Sequence, residues 1–232
     1  MNGWGLATSF LYIFAVIFAA RPLAAFGQEA PRKFIHIMVS NWWFIAMYCF
    51  TSVWWAAVAP LCFVAVNYVS CKKRIFAGME RQDDESLGTV WYAVSLLVLT
   101  LLCFGILKRP ELGLIGTLSL GWGDGFAAIV GRRFPVGPYT VRTFQGLSRS
   151  GGRLRPVWGT ARKTAAGSLV VFLVTFAVSF FAASRYGSGA PPWAAAAVLA
   201  VCTTAAEAFG GNGLDNLSVP LVPVALYCLL FL

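Results

Sequence analysis

The chain has 232 residues, 59% of them hydrophobic and 12% charged, with a net charge of +9 at neutral pH. A soluble domain would carry about twice that charged fraction, and several apolar runs approach the roughly 20 residues that cross a bilayer. Composition thus excludes an ordinary soluble enzyme and predicts an all-α, polytopic membrane protein, one integral-membrane domain over residues 1–232. Nucleic acid is not the expected partner, because the basic residues lie between apolar spans. Membrane topology, anionic headgroups or a phosphate-bearing substrate explain the charge better.

Apolar spans are predicted near residues 4–20, 33–50, 53–71, 88–107, 112–131, 165–183, 192–208 and 217–232. That makes seven or eight transmembrane helices, the last of them short. No alternation of apolar and polar residues runs through the spans, so helices are expected rather than a barrel. The first span lacks a basic leader and is read as a retained helix, not a signal peptide. The six cysteines (Cys49, Cys62, Cys71, Cys103, Cys202, Cys228) form no C-x-x-C pair and read as small buried hydrophobes. Trp42, Trp43, Trp54, Trp55, Trp91 and Trp193 read mostly as interfacial belt residues.

Loops two, four and six hold only Lys108, Arg109 and Arg185 of the 18 basic residues. Loop one carries Arg21, Arg32 and Lys33, loop three Lys72, Lys73, Arg74 and Arg81, and the stretch from Arg132 to Lys163 carries eight. This bias predicts cytoplasmic odd-numbered loops and non-cytoplasmic termini. Loop three, from Lys72 to Gly88, reads as a solvated connection. The basic loop at about 134–163, rich in Gly, Pro and Arg, is expected to be either mobile or a lid over the polar face.

On this map the unusual polar residues converge on one membrane face. Asp124 lies in the fifth span within Gly121-Trp122-Gly123-Asp124-Gly125, where glycines admit a second backbone or a ligand. An ionised carboxylate in hydrocarbon is costly without a partner. Asp124 is thus either a buried acid paired with Arg132 or Arg133, or a functional group. Arg32, Lys33 and His36 open the second span, with His36 one turn from Arg32 and Lys33, and Asn67 nears the end of the third. Lys163 enters the sixth span, Glu207 ends the seventh, and Asp215-Asn216 precede the eighth. Each has a plain reading too: Arg32, Lys33 and Lys163 as boundary cations, Asp215-Asn216 as a helix cap, Glu207 as an interfacial residue.

Acids that hold Mg²⁺ together with cations that hold phosphate are what phosphoryl or nucleotidyl transfer requires. Gly159-Thr160-Ala161-Arg162-Lys163-Thr164 lacks the glycine register of a P-loop. Asp124-Gly125-x-x-Ala128 begins like the CDP-alcohol phosphotransferase signature but lacks its arginine and later aspartates. Asn216-Leu217-Ser218 abuts a span on the predicted inner side and is a chance sequon.

The ordered set resembles the CTP-dependent membrane lipid-alcohol kinases: phytol kinases, dolichol or polyprenol kinases and CTP-dependent diacylglycerol kinases. The blocks are Arg32-Lys33-Phe34-Ile35-His36, Gly123-Asp124-Gly125-x-Ala127 through Gly131-Arg132-Arg133-Phe134, Lys163-Thr164-x-x-Gly167-Ser168, and Glu207 followed by Asp215-Asn216-Leu217-x-Val219-Pro220-Leu221. Asn67-Tyr68 is also similar. Ala166 stands where many members have glutamate, which resembles the phytol kinase branch, and the 134–163 loop is longer and more basic than the family connection.

The resemblance implies Mg²⁺ and CTP as cofactors. It places catalysis on Asp124, Asp215, Lys33 and His36, with Asp215 as metal ligand or base, and the metal on Asp124, Glu207 and Asp215. Arg32, Lys33, Asn67, Arg132, Arg133, Lys163, Gly167, Ser168 and Asn216 would bind nucleotide. The partners are then a nucleoside triphosphate and a membrane lipid alcohol in the bilayer, with the active site facing the cytoplasm. A cytidylyltransferase of the CDP-diacylglycerol synthase type, which releases pyrophosphate, is the alternative. A transporter is a further one, although the acids cluster at one face and no inverted repeat is visible.

Overall fold

The structure, a computed structural model, describes residues 1–27, 29–73, 87–150, 153–187 and 189–232. Most of the third loop, including Arg74 and Arg81, lies outside the described residues. The helices are α1 (Asn2–Ala20), α2 (Glu29–Ser40), α3 (Trp42–Cys49), α4 (Val53–Lys73), α5 (Gly88–Thr100), α6 (Gly113–Leu118), α7 (Gly125–Arg133), α8 (Ala165–Tyr186), α9 (Pro192–Phe209) and α10 (Asp215–Phe231). A π-helical turn, Leu101–Ile106, extends α5, and another, Ser119–Asp124, joins α6 to α7.

This is the expected polytopic helical bundle. Among the described residues six helical stretches are long and apolar enough to cross a membrane, and α10 is a shorter apolar helix. The predicted second span is not one straight helix. It breaks at Asn41, whose side-chain oxygen accepts from Trp122 Nε1 at 3.1 Å, so a polar residue inside the apolar run turns the chain between α2 and α3.

Small residues bring the α6–α7 segment into the centre. A Cβ on Gly113 would lie 1.9 Å from the Trp43 ring, and one on Gly116 2.4 Å from the Pro220 carbonyl oxygen. Trp42 and Trp43 are accordingly fully buried rather than in the interfacial belt, and Trp43 Nε1 donates to Pro110 O at 2.8 Å. Trp54 and Trp193 are exposed, as a belt requires. All six cysteines are free, but only Cys103 is buried and Cys62 is exposed, so the expectation of buried thiols holds for one of them.

The basic stretch is an antiparallel hairpin, β1 (Pro138–Ser150) and β2 (Arg153–Thr164), paired from Pro138↔Thr164 to Ser150↔Arg153. A bulge falls between Phe144 and Gly146. The Ala165 amide bonds to Gly137 O at 2.9 Å, and the Gly211 amide bonds to Phe144 O at 3.1 Å. The ribbon is thus fastened to the start of α8 and to the turn after α9.

Alanine in place of glycine normally favours a helix by about 0.5–1 kcal/mol. Against a backbone oxygen the sign reverses. Gly116→Ala is expected to destabilise by about 1–3 kcal/mol, read as a lower unfolding temperature in detergent. Gly105→Ala, whose Cβ would meet only Val53 Cγ2 at 3.5 Å, should shift stability by less than about 0.5 kcal/mol.

Candidate active site at the polar end of an apolar cavity

The site begins where α2 meets the glycine-rich π-turn. A Cβ on Gly121 would fall 2.2 Å from Ser40 Cβ, and one on Gly125 2.4 Å from Ile37 Cγ1. Two glycines one turn apart therefore let α2 lie almost on the backbone of the α6–α7 segment. On that face, one and two turns earlier in α2, are His36 and Lys33. Lys33 Nζ donates to Asp124 Oδ2 at 3.0 Å and His36 Nε2 lies 3.2 Å from the same oxygen. His36 Nε2 is also 3.2 Å from Leu120 O. Both neighbours of Nε2 accept, so that nitrogen carries the proton. Tyr92 fixes the other side: its hydroxyl donates to His36 O at 3.0 Å and its ring meets the imidazole edge-on. Asp124 is therefore partnered from α2, and neither Arg132 nor Arg133 pairs with it.

A second ion pair joins the hairpin to α9. Lys163, next to last in β2, donates to the Glu207 carboxylate and to Glu207 O at 3.2 Å. Burial works to lower the Lys163 ammonium, but the Glu207 charge outweighs it and holds the group above the usual lysine range. Asp215, the third acid, has no ion-pair partner among the described residues. It accepts the Asn216 amide at 2.9 Å and lies within electrostatic reach of Asp124, Lys163, Lys33 and Glu207. Among the described residues no three His, Cys, Asp or Glu side chains form a ready-made metal cage. The oxygens are nonetheless of the hard kind Mg²⁺ takes, one or two at a time alongside substrate phosphates.

At the rim, Glu29 bridges two arginines, accepting from Arg32 Nη2 at 2.6 Å and from Arg132 Nη2 at 2.8 Å. Burial pushes the Glu29 carboxyl up, yet Arg32 and Arg132 together hold it at about 2. Two amides clamp the start of α5: Asn67 Nδ2 donates to Thr89 O and Asn216 Nδ2 to Gly88 O. The Gly167 amide is already taken by Thr164 Oγ1 at 3.1 Å, and Ser168 Oγ shares a hydrogen bond with Tyr139 OH at 2.7 Å. The start of α8 is therefore capped by the protein itself.

Both ion pairs, Asp215, the two amides, Arg32 and Arg132 line one cavity of about 560 Å³, with Glu29 behind the two arginines. Its polar end holds Lys33, His36, Asp124, Lys163, Glu207 and Asp215. The rest is an apolar arm between α1, α4 and α5, with Phe10, Phe14, Phe63, Val66 and Leu96 in its wall. Every expected site residue reaches the cavity except Arg133, which is exposed beside it. Sequence reasoning missed Glu29, Tyr92 and Arg162. Arg162 lines the cavity with no partner among the described residues, and its only signal was its place beside Lys163.

The sequence is 30% identical over 221 residues to a phytol kinase of Synechocystis sp., covering 94% of this chain and 86% of that protein. The chain belongs to the phytol kinase family. It is also 25% identical to a probable chloroplastic phytol kinase 1 of rice, across 88% of this chain and 65% of that protein. No family profile and no solved structure matches the chain. The four blocks that resemble the lipid-alcohol kinases all send residues to the one cavity, so in this phytol kinase relative a pattern scattered from residue 32 to residue 221 is a single site.

The Lys163–Glu207 pair gives a stability test. Lys163→Met leaves a buried carboxylate without its cation and should cost about 3–5 kcal/mol, while adding Glu207→Leu should restore most of it. The ammonium is raised in the folded state, so with Glu207 ionised the lysine's contribution is complete below pH 10.5 and is lost as pH rises through the raised folded value. As Lys163 loses its proton at high pH, thermal unfolding of the wild type should therefore approach that of Lys163→Met and fall below that of the double variant.

Proposed function

We propose that the protein transfers the γ-phosphate of a nucleoside triphosphate, CTP in the reading the resemblance gives, to the hydroxyl of a membrane lipid alcohol. Phytol is the first candidate acceptor, because the named relatives are phytol kinases; a polyprenol, dolichol or diacylglycerol are the others. One observation carries the reading: a single cavity joins a cluster of acids and cations to an apolar arm. An alcohol with a long hydrocarbon tail has that division of chemistry. The tail would lie against Phe10, Phe14 and Phe63, with the hydroxyl beside Asp124 and Asp215.

An ammonium has three N–H donors. Lys33 uses one on Asp124, and Lys163 uses two on Glu207. Both thus stay anchored while offering remaining donors to phosphate oxygens. Arg32, Arg132 and Arg162 would meet the nucleotide at the rim. Asp215, without a cation of its own, is the group to accept the proton of the lipid hydroxyl. His36 keeps the Asp124 carboxylate in place. Mg²⁺ arriving with the nucleotide would sit on Asp124 and Glu207, leaving Asp215 to the alcohol, and would supply neutralisation of phosphate charge. Positioning and charge stabilisation would carry the rate, as a loose phosphoryl transition state requires. The basic bias of the odd-numbered connections supports a cytoplasmic site with both ends of the chain on the opposite side.

Purified protein in mixed micelles with Mg²⁺ and γ-labelled CTP is expected to label phytol, with farnesol, polyprenol and diacylglycerol offered in parallel. Asp124→Asn should lower kcat/KM by roughly 10³-fold, and Asp215→Asn by about 10²–10⁴-fold. Unlabelled lipid with labelled pyrophosphate released in the presence of phosphatidate would replace the kinase by a cytidylyltransferase.

A further inference from the structure

The hairpin does more than deliver Lys163. Residues 134–164 contain six basic residues and no acidic one, and no acid occurs anywhere between Asp124 and Glu207. Along a strand, alternate side chains share a face. In β2 that places Leu154, Pro156 and Trp158 together. Their partners across the ribbon are Arg149, Leu147 and Phe144. In β1, Phe144 and Leu147 are three apart and would fall on opposite faces of a regular strand. The bulge at Phe144/Gly146 inserts the extra residue that returns Leu147 to the face of Phe144 and Trp158.

This face is covered by no other part of the described chain. Leu147 is 61% exposed, Leu154 68% and Trp158 50%. At the foot of the ribbon, Phe134 and Val136 are exposed as well. Arg142 lies over the Trp158 ring at 5.4 Å, pairing cation with aromatic on the same face. The bond from the Gly211 amide to Phe144 O and the bridge between Phe144 and Gly210 hold the ribbon against the turn between α9 and α10, at the ends of two apolar helices. Exposed aliphatic and aromatic side chains on a ribbon with no acid of its own match one neighbour, an interface of hydrocarbon and anionic headgroups.

We infer that the apolar face of the β1–β2 ribbon (Leu147, Leu154, Trp158) docks on the anionic headgroup layer of the bilayer that holds the helices. The docked ribbon anchors the base of β2, and with it Lys163, at headgroup depth.

The test is hydroxyl-radical footprinting of the full chain in nanodiscs of phosphatidylcholine, with and without phosphatidylglycerol. Oxidation of Leu147, Leu154 and Trp158 should fall at least about fivefold in the anionic discs, the factor that one basic residue near such a surface is worth. High salt should reverse the protection. Leu154→Asp combined with Arg155→Glu, both at exposed positions, should abolish it while the footprint of the helices is unchanged. Equal oxidation in both discs overturns the inference. So does protection that ignores lipid charge and follows added nucleotide, which would make the ribbon a lid over the cavity.

Discussion

The Lys33–Asp124 ion pair is the interaction on which the rest of the structure depends. A carboxylate at this depth costs several kcal/mol unless a cation meets it, and the cation must come from another helix whose backbone can approach closely. Gly121 and Gly125 provide that approach, and α2 uses it to deliver Lys33 and His36 from the same face. Break the seam with a larger residue and α2 is pushed outward, which strands both charges. The apolar bundle and the polar site are thus one construction: the helix contact that packs the core also neutralises the acid.

The same seam explains the π-turn at Ser119–Asp124. The wider turn carries Asp124 on the segment that α2 touches, and such turns recur where a helix serves a site. Trp122 then bonds Asn41 at the break between α2 and α3. The interruption of the predicted second span and the irregularity of the fifth are two sides of one contact. Regular helices would leave Asn41 and Asp124 without these partners.

Sequence made the bundle and most of the site legible for distinct physical reasons. Long apolar runs announce membrane helices because hydrocarbon tolerates little else, and a lone acid among glycines announces a site because its burial has to be compensated. What could not be read was pairing. Asp124 has arginines eight and nine residues ahead in sequence, but its partner comes from 91 residues earlier in the chain. Glu29 belongs to no motif in the sequence, and only the fold brings Arg32 and Arg132 to it together. The hairpin was hidden by its composition. Tyr139-Thr140-Val141-Arg142-Thr143-Phe144 has strand character, but the surrounding Gly, Pro and Arg residues read as loop. The bulge that sets its faces leaves no mark in a linear pattern.

The distribution of charge within the cavity bears on the proposed reaction. The inner cluster sets three carboxylates, Asp124, Glu207 and Asp215, against two ammoniums, Lys33 and Lys163. Among the described residues the rim sets Arg32, Arg132 and Arg162 against the single carboxylate of Glu29. A polyanion approaching from water therefore meets net positive charge first and net negative charge only at the bottom, where Asp215 has no ion-pair partner among the described residues. An uncomplexed triphosphate would be held at the rim and repelled from the acids, whereas one carrying a divalent cation could move in to meet them. On the proposed reading, the excess acid both selects the metal-bound nucleotide and keeps one carboxylate available to the alcohol. The two lysine-held acids keep the lysines fixed, and on that reading the third is left for the alcohol.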